Sequence, residues 1–256
     1  MSQLQVQTLG PGNIVRLSLA SGRGNPLTPA LVDALGAQIR SMSGNPPRAI
    51  VLDGGGAPIF SGGFSLPHIA RWDRAQIRGF FRAFMQCVYG LMELPCPVVA
   101  GMSGHAIAGG FILSLAADFR IVGDSRLKFG LSEVDLGVAV PAGTLALLSA
   151  RVGHASALRL AAGGLLIIPQ EARQIGFADE LAIEPEERAL SLARRLSAKP
   201  GNGVGVTSRL FNRPLVSAMR AAEAEGEEVF LDTWFSDEAQ ATLHALADKM
   251  SGKKAR

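Results

Sequence analysis

The chain has 256 residues, 48% hydrophobic and 18% charged, with a formal net charge of +3. That is an ordinary globular composition, long enough for one large or two small domains around a sizeable buried core. The basic clusters, Arg194-Arg195 and Lys253-Lys254-Ala255-Arg256, read as solvated faces, which leaves no basis for a nucleic-acid partner.

Leu4 to Thr8 and Ile14 to Leu19 read as two strands joined by the turn cluster Gly10-Pro11-Gly12-Asn13. After the loop Ser21 to Leu27, Thr28 and Pro29 form a helix start, an N-cap followed by proline at the first helical position. Leu31, Leu35 and Ile39 give that helix an apolar stripe, and Ser43 to Pro47 ends it. Ala49 to Leu52 is then a short buried strand. A strand, a helix and a strand favour a crossover connection and a partly parallel sheet. Asp53 to Leu66 is glycine-rich but carries no nucleotide-binding fingerprint. Ile77, Phe80, Phe81, Phe84, Val88 and Leu91 mark a core-facing helix over residues 75–93, and Pro97 to Ala100 reads as the next strand.

From Leu94 to Ala117 no residue is charged, a length that raises the question of a membrane span. Pro95, Pro97, Gly101, Gly104, Gly109 and Gly110 punctuate it, so it reads instead as a buried strand, a turn and a buried helix, and no membrane partner is expected. Gly109 and Gly110 admit two readings: close packing of a core helix, or a helix start whose free N–H groups hold an oxyanion. Phe119 to Val122 and the shorter Arg126 to Phe129 read as strands. From residue 144 the chain is helical in character, with breaks at Gly153, Gly163-Gly164, Pro169, Gly176 and Pro185. Leu243, Leu246 and Met250 belong to an ordinary amphipathic pattern. No repeat or linker divides the chain, so a single α/β core with a helical C-terminal extension is the simplest account. Cys87 and Cys96 are too few for a disulfide framework, and the N-terminus shows no secretory pattern. A reduced, cytoplasmic setting is expected.

Four blocks in order, Asn25-Pro26-Leu27-Thr28, Ala49 to Leu52 leading into Phe60-Ser61-Gly62-Gly63-Phe64-Ser65-Leu66, Gly104 to Asp118, and Phe129 to Gly137, resemble the crotonase superfamily of enoyl-CoA hydratases and isomerases. The similarity runs from about residue 4 to about residue 200 and continues less specifically beyond. The resemblance implies a ββα spiral over residues 1–195, and a helical C-terminal region over residues 196–256 that assembles a trimer or a dimer of trimers. It also implies an acyl-CoA thioester as substrate, with CoA part of that substrate and no separate cofactor or metal. In the family two backbone N–H groups hold the thioester oxygen. Residue by residue, they fall on Phe64 and Gly109. The substrate region carries over to Arg23, Pro26, Leu27, Gly62, Ser65 and Leu66, with His105 read as lining and His68 as packing or lining.

Hydratases of the family use two glutamates, and the first would fall at Ile112, which cannot transfer a proton. The second falls on Glu133. A single carboxylate suits proton transfer from C2 to C4 of one dienolate, the pattern of the Δ3,Δ2-enoyl-CoA isomerases. Ala108 to Ile112, Ile121, Gly130 to Glu133 and Gly164 to Pro169 resemble that branch most. An apolar pocket is expected to raise the Glu133 pKa from about 4.3. Asp135 is the rival carboxylate, read first as structural. A hydratase drawing on it, and an acyl-CoA-binding member without catalysis, stay open. Ser103 with His105 lacks the nucleophile-elbow pattern of a hydrolase. Two departures stand out: Ser65 replaces the family's common acidic residue, and Phe64 replaces a small one. A phenylalanine there also occurs in the dehalogenase-like branch, whose nucleophilic aspartate has no clear counterpart here.

Overall fold

A computed structural model describes residues 3–10 and 13–252. In chain order its elements are β1 (Leu4–Leu9), β2 (Ile14–Leu19), α1 (Pro29–Gly44), β3 (Ala49–Asp53), β4 (Ile59–Ser61), α2 (Leu66–Ile69), α3 (Arg74–Glu93), β5 (Val98–Met102), β6 (His105–Ile107) and α4 (Gly109–Leu115). There follow β7 (Phe119–Gly123), β8 (Phe129–Gly130), a 3-10 turn (Val134–Leu136), α5 (Ala142–Val152), α6 (His154–Ala162), β9 (Leu166–Ile167), α7 (Pro169–Gln174), β10 (Glu180–Ala182), α8 (Pro185–Ser197), α9 (Gly203–Trp234) and α10 (Asp237–Met250).

The strands form two sheets, ordered β1-β2-β3-β5-β7-β10 and β4-β6-β8-β9. Each turn of chain lays one strand in the first sheet and the next in the second: β3 then β4, β5 then β6, β7 then β8. Helices close the turns, giving the ββα spiral. Within the first sheet only β1 and β2 run antiparallel, paired Leu4 to Leu19 through Leu9 to Ile14. Parallel strands are covered on both faces. Accordingly β3, Ala49–Asp53, is buried at every residue.

Local chemistry sets the helix starts. Thr28 Oγ1 accepts from the Leu31 N–H at 3.1 Å, with Pro29 as first helical residue. Asp73 and Gln76 form a reciprocal capping box at α3, with bonds of 2.8 and 3.0 Å. The buried face of α3 includes Phe80, Phe81 and Phe84 and packs against α1 and α9. Full burial of each such ring stabilises by roughly 1.5–3 kcal/mol.

Some sequence expectations change, and others cannot be compared. Pro11 and Gly12 of the first turn, and the basic tail Lys253 to Arg256, lie outside the described residues. The glycine-rich segment after β3 contains a strand, β4. The strand expected over Arg126 to Phe129 is displaced to Phe129–Gly130, because its hydrogen bonding is set by β6 and β9 rather than by its own alternation. Beyond residue 144 the chain is not wholly helical: β9 joins the small sheet and β10 extends the large one beside β7. Pro169 and Pro185, read as breaks, are the first residues of α7 and α8, where a missing N–H costs nothing.

The C-terminal helices complete the molecule. Helix α9 packs along α5 and α3, and α10 packs on α2 and the 3-10 turn. An Arg71–Asp248 ion pair at 3.0 Å and a bond from His244 Nε2 to Ala70 O at 3.0 Å tie α10 to α2 and the residues just after it.

Candidate active site

A cavity of about 180 Å3 lies where the ends of both sheet turns meet the C-terminal helices. Gly62, Phe64 and Leu66 reach it from the segment after β4, Ala108 and Ile112 from the start of α4, and Ser132, Glu133 and Leu136 from the segment after β8. Phe81 of α3, Phe230 and Trp234 of α9, and Leu243, Leu246 and Met250 of α10 complete it. A larger hollow of about 720 Å3 lies between Pro97, Phe119 and the start of α9. Its carboxylate, Asp118, already accepts from Val98 N–H, Asn212 and Ser208, which leaves it poorly placed for proton transfer.

Phe64 lines the smaller cavity, whereas Gly109 does not line it and follows the lining residue Ala108. Leu27 makes the bridge to the segment after β4: its N–H donates to Gly63 O at 2.8 Å, and its carbonyl accepts from Ser65 N–H at 3.2 Å. The Phe64 N–H therefore faces away from Leu27, and it has no acceptor among the described residues. Gly109 is the first residue of α4, so its N–H has no intrahelical partner. Ala108 turns the chain from β6 into α4 at φ 50°, a conformation strained for any residue with a Cβ.

Glycines bring these loops together. Gly63 has φ +86°, and a Cβ there would stand 3.1 Å from the Gly109 nitrogen. A Cβ on Gly109 would stand 3.0 Å from the Phe64 ring, and one on Gly110 only 2.2 Å from Ser61 O. The adjacent glycines thus do different work. Gly110 lets α4 lie on β4, while Gly109 admits the Phe64 ring. That ring packs edge-on against Phe80 and Phe84, each at 5.0 Å between centroids, and fixes the first donor loop to α3.

Glu133 supplies the titratable group. Desolvation raises its carboxyl from 4.5 to about 7, against a smaller lowering by the N–H groups of Glu133 and Ser132. Its Oε2 is shielded from solvent and has no hydrogen-bond partner among the described residues. Ile112, also lining the cavity, is 1% exposed. Asp135 sits at the cavity edge but is itself exposed.

The other expected residues divide. Gly62 and Leu66 line the cavity, and Leu27 supports it from behind through its bridge to Phe64. Ser65 does not line it: the side chain is buried, with Oγ 2.7 Å from His68 Nδ1, because alternate residues of an extended segment face opposite sides. His105 does not line it either, and its Nδ1 accepts from Lys128 N–H at 3.0 Å. Arg23 is exposed and Pro26 half-buried on the loop before α1. Ser103 Oγ donates to Glu186 Oε1, so no Ser-His pair forms with His105. Sequence reading assigned Phe81, Leu243, Leu246 and Met250 to ordinary packing and did not single out Phe230 or Trp234. Their helical spacing shows a buried face but not what that face meets.

Residues 11–253 match the enoyl-CoA hydratase/isomerase family. The chain belongs to that family. This agrees with the superfamily expected from the four sequence blocks, and isomerases and hydratases both stand among its relatives. Human mitochondrial enoyl-CoA delta isomerase 1 is 26% identical over 212 residues, covering 81% of this chain and 70% of the relative. A probable enoyl-CoA hydratase of Mycobacterium avium (strain 104) is 29% identical over 188 residues, covering 71% and 73% respectively. The crystal structure of human mitochondrial delta3-delta2-enoyl-CoA isomerase superposes with a TM-score of 0.87 at 22% identity, covering 99% of this chain and 100% of that one. The shared family fold is the spiral described above. No helix among the described residues is long and apolar enough to cross a membrane.

Proposed function

We propose that this family member moves a double bond, converting a 3-enoyl-CoA to a 2-enoyl-CoA, with Glu133 as its acid/base. The observation that carries this reading is the lining of the cavity. Glu133 is a shielded carboxylate poised near neutrality, and Ile112 occupies the position where the family resemblance puts a hydratase's first glutamate. A base with a pKa near the working pH combines a useful ionised fraction with proton affinity.

The chemistry balances on one proton. The Glu133 carboxylate takes it from C2, the electrons pass to the thioester oxygen and form a dienolate, and Glu133 returns the proton at C4. The N–H groups of Phe64 and Gly109 hold the oxygen while it is negative. Removing one such donor typically costs on the order of a hundred- to a thousand-fold in rate. The start of α4 adds the positive end of its dipole. The apolar walls exclude water, which favours return of the proton over addition of a hydroxyl.

Glu133→Gln is the test. It should lower turnover of a 3-enoyl-CoA by at least a hundred-fold while CoA-ester binding changes little. Unchanged turnover would sink the proposal. A hydratase using Asp135 is the second reading, favoured by the place of Asp135 at the cavity edge. Oxygen from labelled water would then enter the product. We also propose that Arg23 and the Pro26-Leu27 loop meet the CoA moiety, and that the chain works as a trimer or a dimer of trimers.

A further inference from the structure

The active cavity has an exposed rim and a buried end. Asp135 and Met250 stand at the rim, whereas Phe81 of α3, Phe230 of α9 and Leu243 of α10 are buried. Two rings close the buried end: Phe81 and Phe230 lie 4.7 Å apart between centroids, tilted by 32°. The Phe64 ring meets Phe81 edge-on at 6.5 Å, so an aromatic wall joins the first donor loop to α9. Such a wall makes room for one more methylene only by displacing a packed ring. The double-bond shift gives Glu133 its task and gives these rings none.

Behind the wall lies a second hollow of about 360 Å3 between α3 and α9, lined among others by Met85 and Tyr89 of α3 and Glu223 and Ala224 of α9. Phe81 lines it as well, and no other described residue borders both spaces. Phe81 is therefore the partition between them. The size of the active cavity limits what can lie on its side of the partition. A dry cavity of about 150 Å3 admits benzene, so about 180 Å3 takes an acyl portion of roughly six or seven heavy atoms. Those are the thioester carbonyl and about five further carbons.

We propose that Phe81 sets the acyl-chain length, stopping the chain at about six carbons and keeping it out of the hollow between α3 and α9. This deepens the acyl-CoA reading of the cavity and rests on it. The probes are saturated acyl-CoA esters from butanoyl to decanoyl, titrated calorimetrically against the wild-type chain and Phe81→Ala. Each methylene that finds an apolar place is worth about four-fold in affinity. Wild-type affinity should rise at roughly that rate as far as hexanoyl-CoA, then level off or fall. In Phe81→Ala the rise should continue to decanoyl-CoA, raising the decanoyl-to-hexanoyl affinity ratio by on the order of ten-fold or more. A wild-type rise that runs on to decanoyl-CoA, or an unchanged ratio in Phe81→Ala, overturns the proposal.

Should Phe81→Ala fail to fold, Phe81→Met keeps apolar bulk in a flexible side chain that can swing aside. Phe230→Met is its matched partner, because it removes the other ring of the pair but does not border the second hollow. The series should extend to decanoyl-CoA in Phe81→Met and stop sooner in Phe230→Met. Equal extension in the two variants, or none in Phe81→Met, overturns the assignment to Phe81. Saturated esters cannot isomerise, so these titrations read the cavity without the chemistry. Failure to isomerise 3-hexenoyl-CoA therefore defeats the isomerase reading alone, whereas failure to bind any of the esters defeats the acyl-CoA reading and this proposal with it.

Discussion

Placing a carboxylate in the apolar cavity has a cost that pH reveals. The Glu133 carboxyl titrates at about 7 in the folded chain and near 4.5 once solvated. Between those values the folded state holds a proton that the unfolded state has released. Stability from this group is therefore complete below pH 4.5, falls as pH rises, and is lost once pH passes through about 7. A shift from 4.5 to about 7 corresponds to about 3 kcal/mol at roughly 1.36 kcal/mol per pH unit. This is a sizeable share of a typical domain stability of about 5–15 kcal/mol. The experiment is denaturant unfolding of the wild type and Glu133→Gln at fixed protein concentration, from about pH 4.5 to pH 8.5. Glutamine does not titrate in this range. The stability of the variant minus that of the wild type should grow by about 3 kcal/mol across the series and level off above neutrality. A flat difference would refute the claim that burial, rather than a compensating partner, sets the state of Glu133. On the proposed mechanism catalysis and stability oppose one another at this residue, because ionisation would make the base while burial penalises it.

Two further outcomes follow from the packing. Gly110→Ala would set a Cβ 2.2 Å from Ser61 O, too close for β4 and α4 to keep their spacing, and should destabilise by about 1–3 kcal/mol in a melting experiment. A wild-type melting curve would show that the loops slide freely. Cys87 and Cys96 are buried thiols pushed up to about 12 by desolvation, so both should resist alkylation at pH 8 in the folded chain and react after unfolding. Rapid labelling of either in the native state would contradict their placement.

Local signals in the sequence were enough for the elements with long periods or strong starts. Helix α1 follows from Thr28, Pro29 and the Leu31, Leu35, Ile39 stripe, and α3 from its aromatic stripe. Strand β3 is legible because both faces are covered, leaving a run of apolar residues. The sequence also supplied Glu133, Phe64 and Gly109 as candidates, through motifs whose chemistry depends on a few residues at short range. The two- and three-residue strands β8, β9 and β10 are too short to show alternation. They exist because neighbours in the sheets accept their hydrogen bonds. Ser65 and His105 stood close in sequence to the site, yet extended backbone sends neighbouring side chains to opposite faces, and both found other partners.

The amino-acid sequence by itself therefore determined the α/β core and its principal helices through local pattern, and the family through four ordered motif blocks, whose resemblance implied the spiral and named Glu133, Phe64 and Gly109 as candidate groups. Tertiary structure decided how those groups are surrounded. Phe230 and Trp234 of α9 and Leu243, Leu246 and Met250 of α10 are distant in sequence from Glu133, and only folding brings them to its cavity. Desolvation is a property of everything packed around a group. The displaced pKa of Glu133 could be read only after the C-terminal helices had closed over the site.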